Sequence, residues 1–224
     1  MSLSPLCTLV GIASWTFGEY ALHNWLGHLG KGRNEFSREH LAHHANSHYF
    51  TPTPKKVRTA GVAIVAATAA LALAIGVANA VWFSAGFTAM YVLYEVIHRR
   101  THTHAPRGWY SRWARRHHFL HHYGSPKMNH GVTTPIWDIV FGTYEKPGRV
   151  RVPVKHAPAW LTDPATGEVR AEYAADYEIA RRRRRASAQS DGPGIVPPSL
   201  HDASSSAAKP AGVDRLPQQR GGSE

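Results

Sequence analysis

The chain has 224 residues, a formal net charge of +11, a single cysteine and 16 histidines. One cysteine excludes an internal disulfide, a cysteine-ligated iron–sulfur cluster and a cysteine zinc site. The basic balance fits either nucleic acid or an anionic membrane leaflet, but no zinc-finger, RRM-like or basic-zipper pattern supports nucleic acid. The length suits one domain followed by a tail.

The first segment is apolar. Residues 3–22 are mostly hydrophobic, and residues 1–30 contain no Lys or Arg. Because neither a basic n-region nor a small-residue cleavage site is present, the segment is not typical of a secretory signal. We expect a retained helix that enters the membrane and emerges near His23. His23 and His28 then form a first histidine pair with HX4H spacing.

A polar, basic stretch from Lys31 to Arg58 follows and contains a second histidine box with HX2HH spacing, formed by His40, His43 and His44. No charged residue then occurs from Thr59 to Tyr94. About 20 residues cross the hydrocarbon core of a bilayer. The uncharged run is too long for one span, and it predicts two helices, 60–78 and 81–97, that turn near Asn79.

Two more histidine boxes follow this predicted hairpin. His98 and His102 have HX3H spacing, and His118, His121 and His122 repeat the HX2HH spacing. The segment 105–150 predicts a helix, a turn and a short amphipathic stretch. Basic residues flank both ends of the hairpin, so the positive-inside rule places them and the histidines on the cytoplasmic side: Lys31, Arg33, Arg38, Lys55, Lys56 and Arg58 before it, and Arg99, Arg100, Arg107, Arg112, Arg115 and Arg116 after it.

The whole sequence predicts an all-α membrane protein with a transmembrane hairpin and a cytosolic histidine-rich helical cap. It divides into three regions. Residues 1–155 form the membrane domain, and residues 156–185 form a basic C-terminal extension. A weak helix is expected around 171–185, ending in the run Arg181–Arg185. Residues 186–224, rich in Ser, Gly, Pro and Ala, are expected to be a disordered tail.

The histidine spacings are those of metal-ligating helices. Positions i, i+3 and i+4 of a helix lie within roughly 100° of arc, so each HX2HH box is expected to present three imidazoles to one point. The HX4H pair diverges by about 140° unless a metal pair or a bent helix end accommodates it. Ten nitrogens are too many for one ion, and imidazole suits Fe, Zn, Cu and Ni. Two metals are therefore expected, and the membrane hairpin favours iron and oxygen chemistry. A low-complexity metal buffer is the alternative.

Further polar residues are candidates for additional ligands or for groups that orient the ligands. The additional histidines are His48, His104, His117 and His130, whereas His156 and His201 are expected to be solvent-exposed. Glu19, Glu39, Glu95 and Asp138 are candidate acceptors for the second ring N–H of the ligands; the alternative is a helix-end salt bridge. The aromatic residues could line a lipid channel, but interfacial anchoring or helix packing is favoured for them: Trp82, Phe83, Phe87, Tyr91 and Tyr94.

The four boxes, the approach Leu93–His98 and the segment Asn129–Tyr144 resemble the fatty acid hydroxylase/sterol desaturase superfamily of membrane histidine-box di-iron oxygenases over roughly residues 15–150. The resemblance implies a cytosolic site with two iron ions, which zinc could replace. It also implies O2 and electrons from a separate donor, cytochrome b5-like or ferredoxin-type, since no HPGG-type heme segment appears. The implied ligands are His23, His28, His40, His43, His44, His98, His102, His118, His121 and His122; His104 is an alternative to His102, and His117 to His118.

Three functions remain open at this point. The first is O2-dependent hydroxylation of a C–H bond in a fatty acyl chain or acyl lipid. The second is the same chemistry on a sterol or carotenoid, as a hydroxylase or desaturase. The third is a non-catalytic metal-binding membrane protein. The HX3H third box and the segment Thr134–Asp138 favour the fatty acid and sterol branch over the carotenoid one.

Overall fold

The computed structural model describes residues 4–181, and the predicted disordered tail lies outside them. The described part is mostly helical, with a small parallel sheet. A π-helical turn, Leu22–His28, continues α1, and two short strands, β1 at Val150–Pro153 and β2 at Tyr177–Ala180, follow the helices. The helices are α1 Ser4–Ala21, α2 Glu35–Ala45, α3 Thr53–Ile75, α4 Val77–Thr103, α5 Gly108–Tyr123 and α6 Ile136–Val140.

The hairpin turns earlier than expected and its helices are longer. The turn falls at Gly76, whose φ of 81° lies in the left-handed region that glycine adopts without strain. Asn79 instead lies in the first turn of α4 and donates to the carbonyl oxygen of Ile75 at 2.9 Å. Both α3 and α4 are long and apolar enough to cross a membrane, and α3 buries no residue inside the protein. This is the character of an integral membrane protein.

Glycines allow α1 and α4 to pack at backbone contact. A Cβ at Gly11 would lie 2.1 Å from the carbonyl oxygen of Phe83, and one at Gly86 would lie 2.1 Å from that of Thr8. Small residues at such crossings are typical of helices that associate in a bilayer, where close van der Waals packing replaces the hydrophobic effect. Because α1 lies along α4, its C-terminal end is held beside the third histidine box.

The second box is brought to the first by a close approach of α2. Asn34 caps α2 by accepting from the backbone N–H of Ser37 at 2.7 Å, and the Ser37 hydroxyl donates to the carbonyl oxygen of Gly27 at 2.5 Å. A Cβ at Gly27 would lie 2.9 Å from the ring of His40. Glycine at this position therefore lets an imidazole of α2 reach the π-helical turn.

The C-terminal extension differs from the expected weak helix. Residues 171–173 form one 3-10 turn, and β2 then pairs in parallel with β1, with Val150 opposite Tyr177. Pairing with β1 and burial of Tyr177 against Phe119 outweigh the weak helix propensity. Of the arginine run, only Arg181 lies among the described residues, where it forms an ion pair with Glu168.

His156 was expected in solvent, and this was wrong. Its side chain is buried, stacks on Tyr123, and lies with Nδ1 3.2 Å from the hydroxyl of Ser47. The extension therefore packs back onto the helices, which removes this ring from water. His201 lies outside the described residues.

Candidate metal centre

Ten histidines converge in two groups of five, and they are the ten that the four boxes contain. Within each group, one ring nitrogen per residue lies within 4.8 Å of the others. The first histidine group consists of His23, His28, His40, His44 and His121. The second histidine group consists of His43, His98, His102, His118 and His122.

Each HX2HH box serves both groups, which corrects the expectation of three imidazoles at one point. In α2, His40 and His44 join the first group and His43 joins the second. The box of α5 divides in the same way, with its i and i+4 positions in one group and its i+3 position in the other. On a helix, i and i+4 are about 40° apart and i+3 lies to the other side. One box therefore straddles two centres and holds them next to each other.

A π-helical turn brings the two histidines of the HX4H pair onto the same side of the helix. Its i→i+5 hydrogen bonding is seen where the backbone N–H of Leu29 donates to the carbonyl oxygen of Asn24 at 2.9 Å. This winding stacks residues five apart, and the rings of His23 and His28 lie 5.4 Å apart, 27° from parallel. The bent helix end that the spacing requires is thus a local change of helix type.

The nitrogens in each group are spaced as ligands of one ion. In the first group, His121 Nε2 lies 2.9 Å from His23 Nε2, 3.0 Å from His28 Nε2 and 3.1 Å from His44 Nε2. In the second group, His102 Nε2 lies 3.0 Å from His118 Nε2 and 3.2 Å from His43 Nε2. Two nitrogens about 2.1 Å from a metal at a right angle would be about 3.0 Å apart.

Hydrogen bonding at the opposite ring nitrogens makes the first group suited to a cation. His23 Nδ1 donates to the carbonyl oxygen of His130, and His121 Nδ1 donates to that of Met128 at 2.7 Å. A neutral imidazole carries one N–H, so both Nε2 atoms present lone pairs to each other across 2.9 Å. Two facing lone pairs at that distance repel unless a positive charge lies between them. The donor set therefore fits a metal ion.

Two observations make the second group suited to a cation as well. His43 Nδ1 donates to the carbonyl oxygen of Tyr49 at 2.7 Å, which leaves its Nε2 lone pair toward His102. His118 Nδ1 and both ring nitrogens of His122 are buried without a hydrogen-bond partner. Buried polar atoms are rarely left unpaired, and a metal would satisfy one nitrogen of His122.

Burial keeps these histidines unprotonated. Desolvation, followed by repulsion from neighbouring imidazoles, holds the pKa of His23, His118 and His121 well below its ordinary value. Burial also lowers the pKa of His28 and of His43 to about 4. At neutral pH the imidazoles are neutral, which is the form that binds a metal.

The lowered pKa values predict acid sensitivity of the metal-free chain. In the unfolded chain these histidines take up protons as the pH falls below about 6.5, whereas His28 and His43 stay neutral in the folded state until about pH 4. The unfolded state then binds more protons, so stability falls with pH across that window. Thermal unfolding of the protein in detergent, after a chelator has removed any metal, should show a melting temperature that drops from pH 7 to pH 4. A melting temperature that is flat over this range would contradict the assigned neutral state.

The additional histidines lie outside both groups. His48 and His104 are exposed. His117 is buried, stacked between Trp113 and Tyr144, with Nε2 3.5 Å from a carboxylate oxygen of Asp138. His104 and His117 were the alternatives to His102 and His118, and the structure brings the latter two into the second group.

The candidate carboxylates do not accept from the ligand rings; backbone carbonyls of His130, Met128 and Tyr49 do. Glu39 accepts from the Tyr49 hydroxyl and Lys55, and Glu95 pairs with Lys56. Glu19 and Asp138 bind backbone N–H groups of the segment 130–133. Carbonyl acceptors leave no trace in side-chain identity, so sequence reasoning missed them.

An apolar cleft of about 660 Å³ leads away from the histidines between α3 and the α1–α4 pair. His23, His40, His43 and His98 line one end. The apolar walls are Ala60, Ala63, Ile64, Ala67 and Leu71 of α3 with Phe83, Phe87, Tyr91 and Tyr94 of α4. From His98 to Phe83 the cleft follows α4 for about 22 Å. Four of the five aromatic residues for which packing was favoured therefore also line a channel, and Trp82 is exposed instead.

Fold and site define a class of protein, helical membrane proteins in which two clustered histidine groups lie at one end of an apolar hairpin. The family model for fatty acid hydroxylases matches residues 8–143. The chain belongs to the fatty acid hydroxylase family. All ten clustered histidines fall within the matched range.

Individual relatives are similar over about three fifths of the chain. The ceramide very long chain fatty acid hydroxylase SCS7 of Saccharomyces cerevisiae is 31% identical over 147 residues, covering 62% of this chain and 38% of the yeast protein. Fatty acid 2-hydroxylase of Macaca fascicularis is 29% identical, covering 65% and 42%. A dihydroceramide fatty acyl 2-hydroxylase of Arabidopsis thaliana is 26% identical, covering 62% and 60%. The chain thus spans about two fifths of the first two relatives.

A solved structure agrees with the fold. Full-length scs7p, of which only the hydroxylase domain is visible, superposes with a TM-score of 0.53 at 27% identity. The match covers 66% of this chain and 58% of that one.

Proposed function

We propose that this chain is a membrane-bound lipid hydroxylase with two iron ions, one held by each histidine group. The observation that carries the proposal is that four of the ten clustered histidines, drawn from both groups, line one end of an apolar cleft along membrane-length helices. A metal centre at the end of such a cleft can act on a C–H bond of a lipid chain. The names of the relatives favour a fatty acyl chain or acyl lipid over a sterol or carotenoid.

Bound iron would supply the activation of O2, so that one oxygen atom enters a C–H bond and the other leaves as water with two electrons and two protons from outside. The chain itself supplies the all-nitrogen ligand sets, which zinc could also occupy. The second ring nitrogens of His23, His43 and His121 are fixed by carbonyl oxygens, which hold each ring in one tautomer and orientation.

The cleft would orient the lipid with its polar end at the metals. Charged side chains line the cleft only near the histidines, where Lys56 pairs with Glu95, and Lys55 lies 2.8 Å from Glu35 and 2.6 Å from Glu39. The walls beyond them are apolar, so an acyl tail would lie along α3. The carbon near the metals would then be close to the polar end of the lipid, in keeping with the 2-hydroxylation named for several relatives.

Electrons would come from a separate cytochrome b5-like or ferredoxin-type protein. The positive charge that flanks both ends of the hairpin supports a site at the cytoplasmic face, where such a donor could approach. Because α1 lies along α4, we propose that α1 shares the depth of that helix in the bilayer.

Lipid analysis of expressing cells tests the proposal. Cells that produce the wild-type chain should contain one lipid class with a mass gain of one oxygen, and cells that produce His102→Ala should lack it. His102 is chosen because its Nε2 contacts two other ligands of the second group. The exposed His48→Ala is the matched control and should retain the product. Unchanged acyl lipids, sterols and carotenoids in the wild-type cells would overturn the proposal.

A further inference from the structure

Four consecutive backbone N–H groups, those of residues 130–133, all point at carboxylates. His130 N–H donates to Asp138 Oδ1 and Gly131 N–H to Asp138 Oδ2, each at 2.8 Å. The N–H groups of Val132 and Thr133 both donate to Glu19 Oε1, the second at 2.8 Å. We call Glu19 and Asp138 the carboxylate clamp.

The clamp is buried and, within the part of the chain that the structure describes, has no Lys or Arg partner, although His117 Nε2 lies 3.5 Å from Asp138. Glu19 is 2% exposed and Asp138 is fully buried. Among the described residues, no Lys or Arg forms an ion pair with either of them. The third buried acid, Asp176, is paired with Arg112 and Arg116. Burying a carboxylate away from Lys and Arg is costly unless hydrogen bonds compensate. The compensating hydrogen bonds here include those from the backbone of residues 130–133, so the carboxylates and the segment fix each other.

That segment carries the carbonyl group that orients a ligand. The carbonyl oxygen of His130 accepts from His23 Nδ1, which turns His23 Nε2 toward His121 in the first histidine group. The N–H of the same residue is held by Asp138. A chain of contacts thus runs from carboxylate to backbone to imidazole and ends at the position of the metal.

We propose that Glu19 and Asp138 are positioning residues that, through the backbone of residues 130–133, hold His23 in its metal-binding orientation. The proposal rests on the metal-binding part of the proposed function. It concerns one of the two metals, because the His130 carbonyl oxygen bonds a ring of the first group only.

The geometry predicts different outcomes for the two amide substitutions. Both N–H groups at Glu19 converge on one oxygen, so Glu19→Gln keeps an acceptor for both, and the Thr133 hydroxyl, which donates to the other oxygen at 2.6 Å, can accept from the new NH2 group. The two N–H groups at Asp138 go to different oxygens. Asp138→Asn therefore places an NH2 group against a backbone N–H. If Glu19 and Asp138 contributed only their negative charge, the two amide substitutions would have equal effects.

Zinc release from the protein in detergent measures the effect without catalysis. The wild type is loaded with two Zn²⁺ per chain, and release to an excess of chelator is followed. We expect Asp138→Asn and Glu19→Ala to accelerate the release of one of the two ions about 10–100-fold, as for other groups that orient metal ligands. Glu19→Gln should release both ions close to the wild-type rates. Asp176→Asn is the control, since it removes a buried carboxylate that contacts neither the segment 130–133 nor a ligand.

A double-mutant cycle with His23→Ala separates positioning from loss of stability. If Glu19 acts through His23, adding Glu19→Ala to His23→Ala leaves the release rates unchanged, whereas an independent structural effect adds to them. Should Asp138→Asn fail to fold, the comparison of Glu19→Ala with Glu19→Gln in this cycle still decides the question.

Equal release from all clamp variants and the wild type, additive effects in the cycle, or equal acceleration by Glu19→Gln and Asp138→Asn would overturn the positioning role and leave the proposed function standing. A wild-type chain that binds no metal would overturn both.

Discussion

If the proposed function is right, His121→Ala should abolish lipid hydroxylation and reduce the metal content from two ions per chain to about one. His121 Nε2 lies within 3.1 Å of three other ligand nitrogens, so its ring is the hub of the first group. Removing a group that merely orients a ligand costs about 10–100-fold in affinity or activity, and we expect loss of the hub ligand to cost at least the upper end of that range. Metal analysis of the purified variant and lipid analysis of its host measure the two effects.

His104→Ala is the matched control for that substitution. His104 was an alternative ligand in the third box, but it is exposed and lies outside both groups. It should keep two metals and full activity. A variant His121→Ala that retains two ions, or a variant His104→Ala that loses one, would contradict the assignment of the groups.

Ala67→Trp should prevent hydroxylation of long acyl chains while both metals stay bound. Ala67 lines the cleft about 10 Å further along α3 than Ala60, so an indole ring there would fill the path of the tail. Differences as small as one methylene change discrimination by about 10–200-fold in apolar pockets, and we expect at least a tenfold fall in kcat/KM for long chains. Chains that end before this position should be affected least.

The neighbouring Ala66→Trp provides the control, because Ala66 is exposed and does not line the cleft. It adds the same ring to the same helix about 100° away. Equal loss of activity in both variants would show that the effect comes from helix insertion or folding. Unchanged selectivity in Ala67→Trp would show that the acyl tail lies elsewhere.

That these ten histidines cluster was predictable because helical spacing is local. The i, i+3 and i+4 positions of His40, His43 and His44 can be read from the sequence. How they divide between two centres depends on where α5 lies relative to α2, which is a tertiary property. The HX4H spacing of His23 and His28 indicated a departure from α-helical winding, because two side chains five residues apart do not share a face of an α-helix. The structure has a π-helical turn there.

The groups that orient the ligands could not be predicted in the same way. Backbone carbonyl oxygens do this work for His23, His43 and His121, and every residue has one. The close packing of this segment also shows only in the structure, where a Cβ at Gly131 would lie 2.1 Å from the carbonyl oxygen of Thr134 and 3.0 Å from Asp138. The C-terminal strand was missed because four residues that pair with a distant strand show too little periodicity to outweigh a helical pattern.

Labelling with ¹⁸O2 shows whether this chain inserts oxygen into an acyl lipid. The purified chain is loaded with iron, supplied with an acyl lipid and a reducing partner, and the product is examined by mass spectrometry. The account predicts one ¹⁸O atom in the hydroxylated lipid for the wild type and no hydroxylated lipid for His121→Ala. A wild-type chain that holds two iron ions but incorporates no labelled oxygen into any acyl lipid would contradict it.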